Sequence, residues 1–166
     1  SAGWIYQKGH RMTNNTAFAE LMAHQRQTEA LGKIAERLGW DQETMMPEAA
    51  AEQRGEELAA IEGVLHARRT DPRLADWLDA AQAPDAAGAA ILRELARSYA
   101  RSVKIPADLA QELARVTSVA QGVWAKARAA DRVADFAPTL ARVIDLRRQE
   151  AACLAQGGDL YDALLD

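Results

Sequence analysis

At 166 residues the chain is long enough to bury a sizeable core within one domain, or within a large piece of one. Hydrophobic residues make up 49% but aromatics only 5%, so Leu, Ile, Val and Ala must build that core; the β-branched and aromatic alternation of a half-buried sheet is missing. The formal net charge is -4, with acids and bases interspersed, which excludes a nucleic-acid footprint, and no apolar run approaches the length of a membrane span.

Residues 1–12, opening with SAGWIYQKGHR, lack helical periodicity and differ in composition from the rest of the chain. They read as an expression remnant or a disordered leader, and Trp4, Tyr6 and His10 are given no functional weight. Residues 13–166 read as helical throughout. A first helix is predicted from a cap at Asn15 or Thr16 to about Leu38, with Phe18, Leu21, Met22, Leu31, Ile34, Ala35 and Leu38 inward and Gly39 as its stop. Trp40, Asp41, Thr44, Met46 and Pro47 then form a non-helical corner. In it Trp40 fills the bend, Asp41 or Thr44 bonds free backbone N–H groups, and Pro47 begins the next helix.

That second helix buries Ala51, Leu58, Ile61 and Leu65 and fades at HARRTDP. A short helix capped by Thr70 or Asp71 turns Leu74, Trp77 and Leu78 inward, and AAQAPDAAG connects it to a helix over 86–103 with Leu92, Leu95, Ala96, Tyr99 and Val103 on one face. Pro106 opens the longest clean stripe of the chain, Leu109, Leu113, Val116, Ala120, Val123 and Ala127. Asp135 caps a further helix with Leu140, Val143, Ile144, Ala151 and Leu154 inside, closed by Gly157 and Gly158, and DLYDALLD starts one more. The fold class is therefore all-α: an antiparallel bundle of about six to seven helices joined by short connections.

The residues that carry chemistry elsewhere lack their contexts here. His24 and His66 each stand four residues after a glutamate, Glu20 and Glu62, whereas zinc-protease helices use H-E-x-x-H and di-iron bundles Glu-x-x-His; an intrahelical hydrogen bond or simple exposure is expected for both. Ser98, Ser102 and Ser118 lie within helices without a G-x-S-x-G turn, and Gly55, Gly63, Gly88 and Gly122 are isolated. The single cysteine, Cys153, forms no internal disulfide and reads as an inert buried thiol in a reducing, cytoplasmic setting. Arg68-Arg69 and Arg147-Arg148 read as solvated helix faces. No catalytic or metal-ligating residue is assigned.

The run LGWDQETMMPEAAAEQRGEELAAIEGVLHARRTDPRLADWL resembles the amino-terminal region of the carboxypeptidase Taq family of metal-dependent carboxypeptidases. In that family a W-D-x-x-T-x-M-P corner precedes a helix carrying an arginine, here Arg54; FAPTLARVIDLRRQEA and GDLYDALLD are also similar to it. The resemblance implies a largely helical enzyme with a long groove, often a homodimer, that removes residues from peptide carboxyl ends with zinc or another divalent metal. The glutamate of an H-E-x-x-H motif would serve as general base. The motif does not occur in these residues, so no catalytic role transfers. Trp40, Asp41, Thr44, Met46, Pro47 and Arg54 transfer as groove-lining or corner-structuring positions.

The expected function is thus that of the amino-terminal helical part of a metallocarboxypeptidase, inactive alone, forming a wall or lid of the substrate groove. Its partner would be a missing carboxyl-terminal catalytic region, with peptide as substrate, no nucleic acid and no membrane. The rival is a free-standing helical interaction or dimerisation module without catalysis. A helical metal carrier using His24 and His66 with their glutamates is a third reading.

Overall fold

The computed structural model describes residues 14–165, and the expectations placed on residues 1–12, including Trp4, Tyr6 and His10, lie outside the described residues. Among these residues seven helices succeed one another: α1 (Asn14–Thr44), α2 (Ala51–Arg69), α3 (Arg73–Ala80), α4 (Ala86–Ser102), α5 (Ala107–Ala129), α6 (Val133–Ala155) and α7 (Asp162–Leu165), with a 3₁₀ turn, Glu48–Ala50, before α2. Among the described residues there is no strand.

The helix starts reflect the sequence. Asp85 caps α4 by accepting the Gly88 N–H at 2.7 Å, and Pro106 stands just outside α5, where its missing N–H costs nothing. Asp71 accepts the Arg73 N–H at 2.9 Å and so serves the first turn of α3. Asp135 does not cap α6. The helix begins two residues earlier, and Asp135 instead pairs with Arg132 at 2.8 Å.

Two apolar clusters hold the helices together. Ala17 and Leu21 of α1 meet Leu74 and Trp77 of α3, with Leu92, Leu95 and Tyr99 of α4 packed around them. Leu109 and Leu113 of α5 enclose Leu146 of α6. Full burial of a leucine such as Leu21 or Leu146 contributes about 2–3 kcal/mol.

Cross-helix bonds give the directions. Along α1 and α2, Leu38 and Asp41 meet Arg54 while His24 and Thr28 meet Arg68, so the two run antiparallel. Along α2 and α5, Glu56 meets Arg115 while His66 meets Ile105 in the turn just before α5, so these two are again antiparallel. Here Gly55 lies against Val119 and the Arg115 carbonyl, where a Cβ would come within 3.1 Å of the Val119 methyl, so a side chain at that position would push the helices apart.

Three inward faces differ from the sequence reading: on that of α4, Ala96 and Val103 are exposed, and α1 and α6 depart as follows. In α1 the buried line is Ala17, Leu21, His24 and Thr28, spaced four, three and four, while Ile34 is largely exposed. A polar pair thus occupies core positions that a purely apolar template passes over. In α6 Leu140 and Ile144 are exposed, and Leu146 and Leu154 take the core. The register is set by Leu146 packing between Leu109 and Leu113 and by Arg142 reaching Glu112 at 3.1 Å.

Candidate functional site

The bend between α1 and α2 is where the sequence concentrates unusual residues, and there the helix outlasts its expected end. α1 runs through Gly39 to Thr44, so Trp40 and Asp41 are helical and the non-helical part shrinks to Met45–Pro47. The Asp41 carbonyl accepts from both Met45 N and Met46 N at 2.9 Å, and Pro47, extended at φ -63 and ψ 142, ends the run. The stop is therefore proline rather than glycine. Tertiary bonds to the last turns explain why: Arg54 Nη1 donates to the Leu38 carbonyl, and Gln42 exchanges two bonds with Ser118 of α5, at 2.9 and 2.8 Å.

Arg54 is the centre of this bend. Its Nη2 donates to Asp41 Oδ2 at 2.5 Å and its Nε to Glu57 Oε2 at 2.9 Å, so the guanidinium joins two carboxylates and one carbonyl. The Arg54 side chain is only 10% exposed, against 40% for Asp41. A buried cation thus faces counter-charges that keep water, an arrangement that limits the desolvation penalty. The hydrogen bond to Asp41, aided by Glu57 and opposed by desolvation, raises the Arg54 pKa above the usual arginine range. Asp41 accordingly serves the arginine rather than capping backbone. Thr44 caps nothing either, since its hydroxyl donates to the Trp40 carbonyl at 2.7 Å.

Trp40 does not fill the bend. The residue is 65% exposed, held on a helical turn whose next residue is clamped by Arg54. Met46 turns instead toward a cleft of about 500 Å³ between the 3₁₀ turn and α5, together with Ala49, Ala51, Val119 and Val123; Glu48 and Lys126 pair at 3.0 Å beside it. Pro47 is exposed at the mouth of α2. The structure therefore brings Asp41 and Arg54 together and places Trp40 and Met46 on the surface around them. Glu57, Gln42 and Ser118 were missed as members of this bend. Only Glu57 carries a sequence signal, the Arg-x-x-Glu spacing that puts both on one helix face.

Both described histidines bond carbonyls outside their own helix, which corrects the expectation of intrahelical bonding or exposure. His24 Nε2 meets the Arg68 carbonyl at 3.0 Å and its ring lies 5.6 Å from that of Trp77; His66 Nε2 meets the Ile105 carbonyl at 2.7 Å. Arg68 is likewise no solvated face residue: it donates to Thr28 Oγ1 and the His24 carbonyl. Ser118 is buried and bonded to Gln42. A charged network, Glu56 to Arg115 to Glu112 to Arg142, crosses α2, α5 and α6 at 2.6, 2.8 and 3.1 Å. Arg142 first, and then Arg115, holds the Glu112 carboxyl below the usual glutamate range, and Arg115 does the same for Glu56.

Among the described residues no group of three or more His, Cys, Asp or Glu stands close enough to hold a metal ion. The donors among the described residues therefore do not fit a divalent metal of the kind the family resemblance implies.

The described residues thus form an all-helical array whose α1–α2 hairpin is clamped by charge at its bend. Comparison with known proteins gives the family. The model of the carboxypeptidase Taq (M32) metallopeptidases matches residues 20–166, and the chain belongs to that family. Thermostable carboxypeptidase 1 of Thermus thermophilus is 38% identical over 93% of this chain and 33% of that protein. The crystal structure of BsuCP shares the fold with a TM-score of 0.84 at 19% identity, over 92% of this chain and 31% of its own. The Pyrococcus furiosus carboxypeptidase, solved as Apo-Mg, has a TM-score of 0.69 and 27% identity over the same shares. The chain thus spans about a third of the length of the relatives it matches.

Proposed function

We propose that residues 13–166 are the amino-terminal helical part of a metal-dependent carboxypeptidase and form one wall or lid of its substrate groove. The observation that carries this reading is coverage: nearly the whole chain matches one third of a thermostable carboxypeptidase. On this reading the catalytic groups, the zinc or other divalent metal they hold, and the residues that grip a peptide's carboxyl end belong to the other two thirds. The whole enzyme is then a cytoplasmic homodimer acting on peptides, without nucleic acid or membrane. Among the described residues, no helix is long and apolar enough to cross a membrane.

The contribution of these residues is positional. Arg54 locks the last turns of α1 to the first turn of α2, and that lock fixes the backbone from which Trp40 projects. A large amphipathic ring on a rigid turn suits contact with a peptide at the groove edge, because little side-chain freedom is lost on binding.

The test is direct. The 166-residue chain, supplied with zinc or cobalt and a peptide, is expected to release no carboxyl-terminal residue detectable by mass spectrometry. Release at a rate proportional to the amount of chain would overturn the assignment of the chemistry to the remaining two thirds.

A further inference from the structure

The outer face of α6 carries an apolar line that the fold leaves open. Val133, Ala137, Leu140 and Ile144 recur at intervals of four, three and four, which places them on one side of the helix over about 16 Å. Val133 is 78% exposed, Leu140 41% and Ile144 42%. This side lies roughly two fifths of a turn from the one that Leu146 presents to α5, nearly opposite it, so the exposure is not a ragged edge of the α5–α6 contact. Seven residues beyond Ile144 the same line reaches Ala151, which is buried. The stripe is therefore covered at its carboxyl end and bare for the three turns before it. The opposite side of the helix is finished: Arg142, Asp145 and Gln149 bond one another there.

A surface helix with a solvent-facing polar side has no use for a second apolar stripe of this regularity unless another element seats on it. We propose that the Val133–Ile144 face of α6 is the seat of the two thirds of a family member that lie outside the matched region. The argument for that occupant is length. Relatives continue for about twice the matched span, and this chain matches them almost throughout, so the remaining polypeptide must meet this one over an interface of domain size, roughly 600–1,500 Å². An interface of that size takes an apolar centre with a polar rim, and the exposed Val133, Leu140 and Ile144 of α6 supply the apolar part. The inference rests on the reading of this chain as part of a larger enzyme and adds which surface joins the parts.

Thiol accessibility tests it. In a Cys153→Ser background, Leu140→Cys, Ile144→Cys and, on the polar side, Gln149→Cys are expected to react rapidly and alike with a maleimide in the 166-residue chain. Placed at the aligned positions of full-length Thermus thermophilus thermostable carboxypeptidase 1, the first two are expected to slow by about 100-fold while the third keeps its rate. Equal rates at all three positions in the full-length protein would overturn the seat, without touching the catalytic test above. Concentration-dependent protection in the 166-residue chain itself would also overturn it, by assigning the face to a second copy. Hydroxyl-radical footprinting of the segment aligned with 133–144, on both unsubstituted proteins, reads the same burial should a cysteine variant fail to fold: protection only in the full-length protein supports the seat, and equal oxidation sinks it.

Discussion

Two arginines of α2 cross to α1 at opposite ends of one hairpin. Arg54, beside the bend, binds the Leu38 carbonyl and the carboxylates of Asp41 and Glu57. Arg68, near the open end, binds the Thr28 hydroxyl at 3.0 Å, the His24 carbonyl at 2.9 Å and the Gln27 amide oxygen at 3.2 Å, and its own carbonyl meets His24 Nε2. One cation is nearly buried and faces counter-charge; the other is half-buried and has dipoles alone. A guanidinium that keeps some water can be satisfied by neutral acceptors, whereas one sealed against another helix needs carboxylates to offset desolvation. The hairpin is thus pinned electrostatically where it bends, and by hydrogen bonding where it opens onto the cluster around Trp77.

Removing each arginine breaks the comparison most severely. Arg54→Ala strands two carboxylates and a carbonyl and is expected to cost about 2–4 kcal/mol, below the full penalty of a sealed pair because Asp41 and Glu57 remain partly wet. Arg68→Ala strands only neutral groups and should cost about 1–2 kcal/mol. Urea unfolding followed by circular dichroism gives both values. Equal losses would mean that the counter-charge at the bend adds nothing.

Acid titration sharpens the same contrast. Asp71 is pulled down from 3.8 to about 2, first by its hydrogen bond to the Arg73 guanidinium, and Glu56 and Glu112 are lowered from 4.5 by their arginines. Each is a depressed acid, so its contribution is present in full above the unfolded-state value and is lost as pH falls through the folded-state value. Stability should therefore decline from pH 4.5 toward 2. Asp71→Asn and Glu112→Gln should flatten that decline. Arg68→Ala, which touches no carboxylate, should lower the whole curve while keeping its acid slope.

Helix number, fold class and the Leu109 to Ala127 stripe were legible because three-and-four spacing records which side of a helix loses water. The Arg54 clamp was half legible. Arg54 stood out through the family resemblance and Glu57 shares its helix face, but Asp41 lies thirteen residues away on another helix, a pairing no local pattern encodes. His24 and Thr28 were hidden by chemistry: polar residues on a core line become visible only once the Arg68 fork that satisfies them is known. Leu146 escaped notice because α6 carries two apolar lines, and spacing alone cannot say which one α5 covers.

The smallest effect bears on the one boundary that local rules misplace. Gly39 reads as a stop because glycine enters the left-handed region freely, yet α1 continues through it, and a Cβ built there meets nothing within 4 Å. Position 39 is then an ordinary interior site where glycine is an entropic cost, and Gly39→Ala should stabilise the chain by about 0.5–1 kcal/mol. Had the helix closed at this residue, alanine would be forced to a positive φ and the same substitution would destabilise by a similar amount. The sign of one thermal-shift measurement separates the two. A stabilised variant would place the end of α1 at Thr44, ahead of Pro47, with the final turns held by the Arg54 clamp and the Gln42 bonds to Ser118. A destabilised one would return the bend to Gly39 and leave Asp41 without the helical turn that aims it at Arg54.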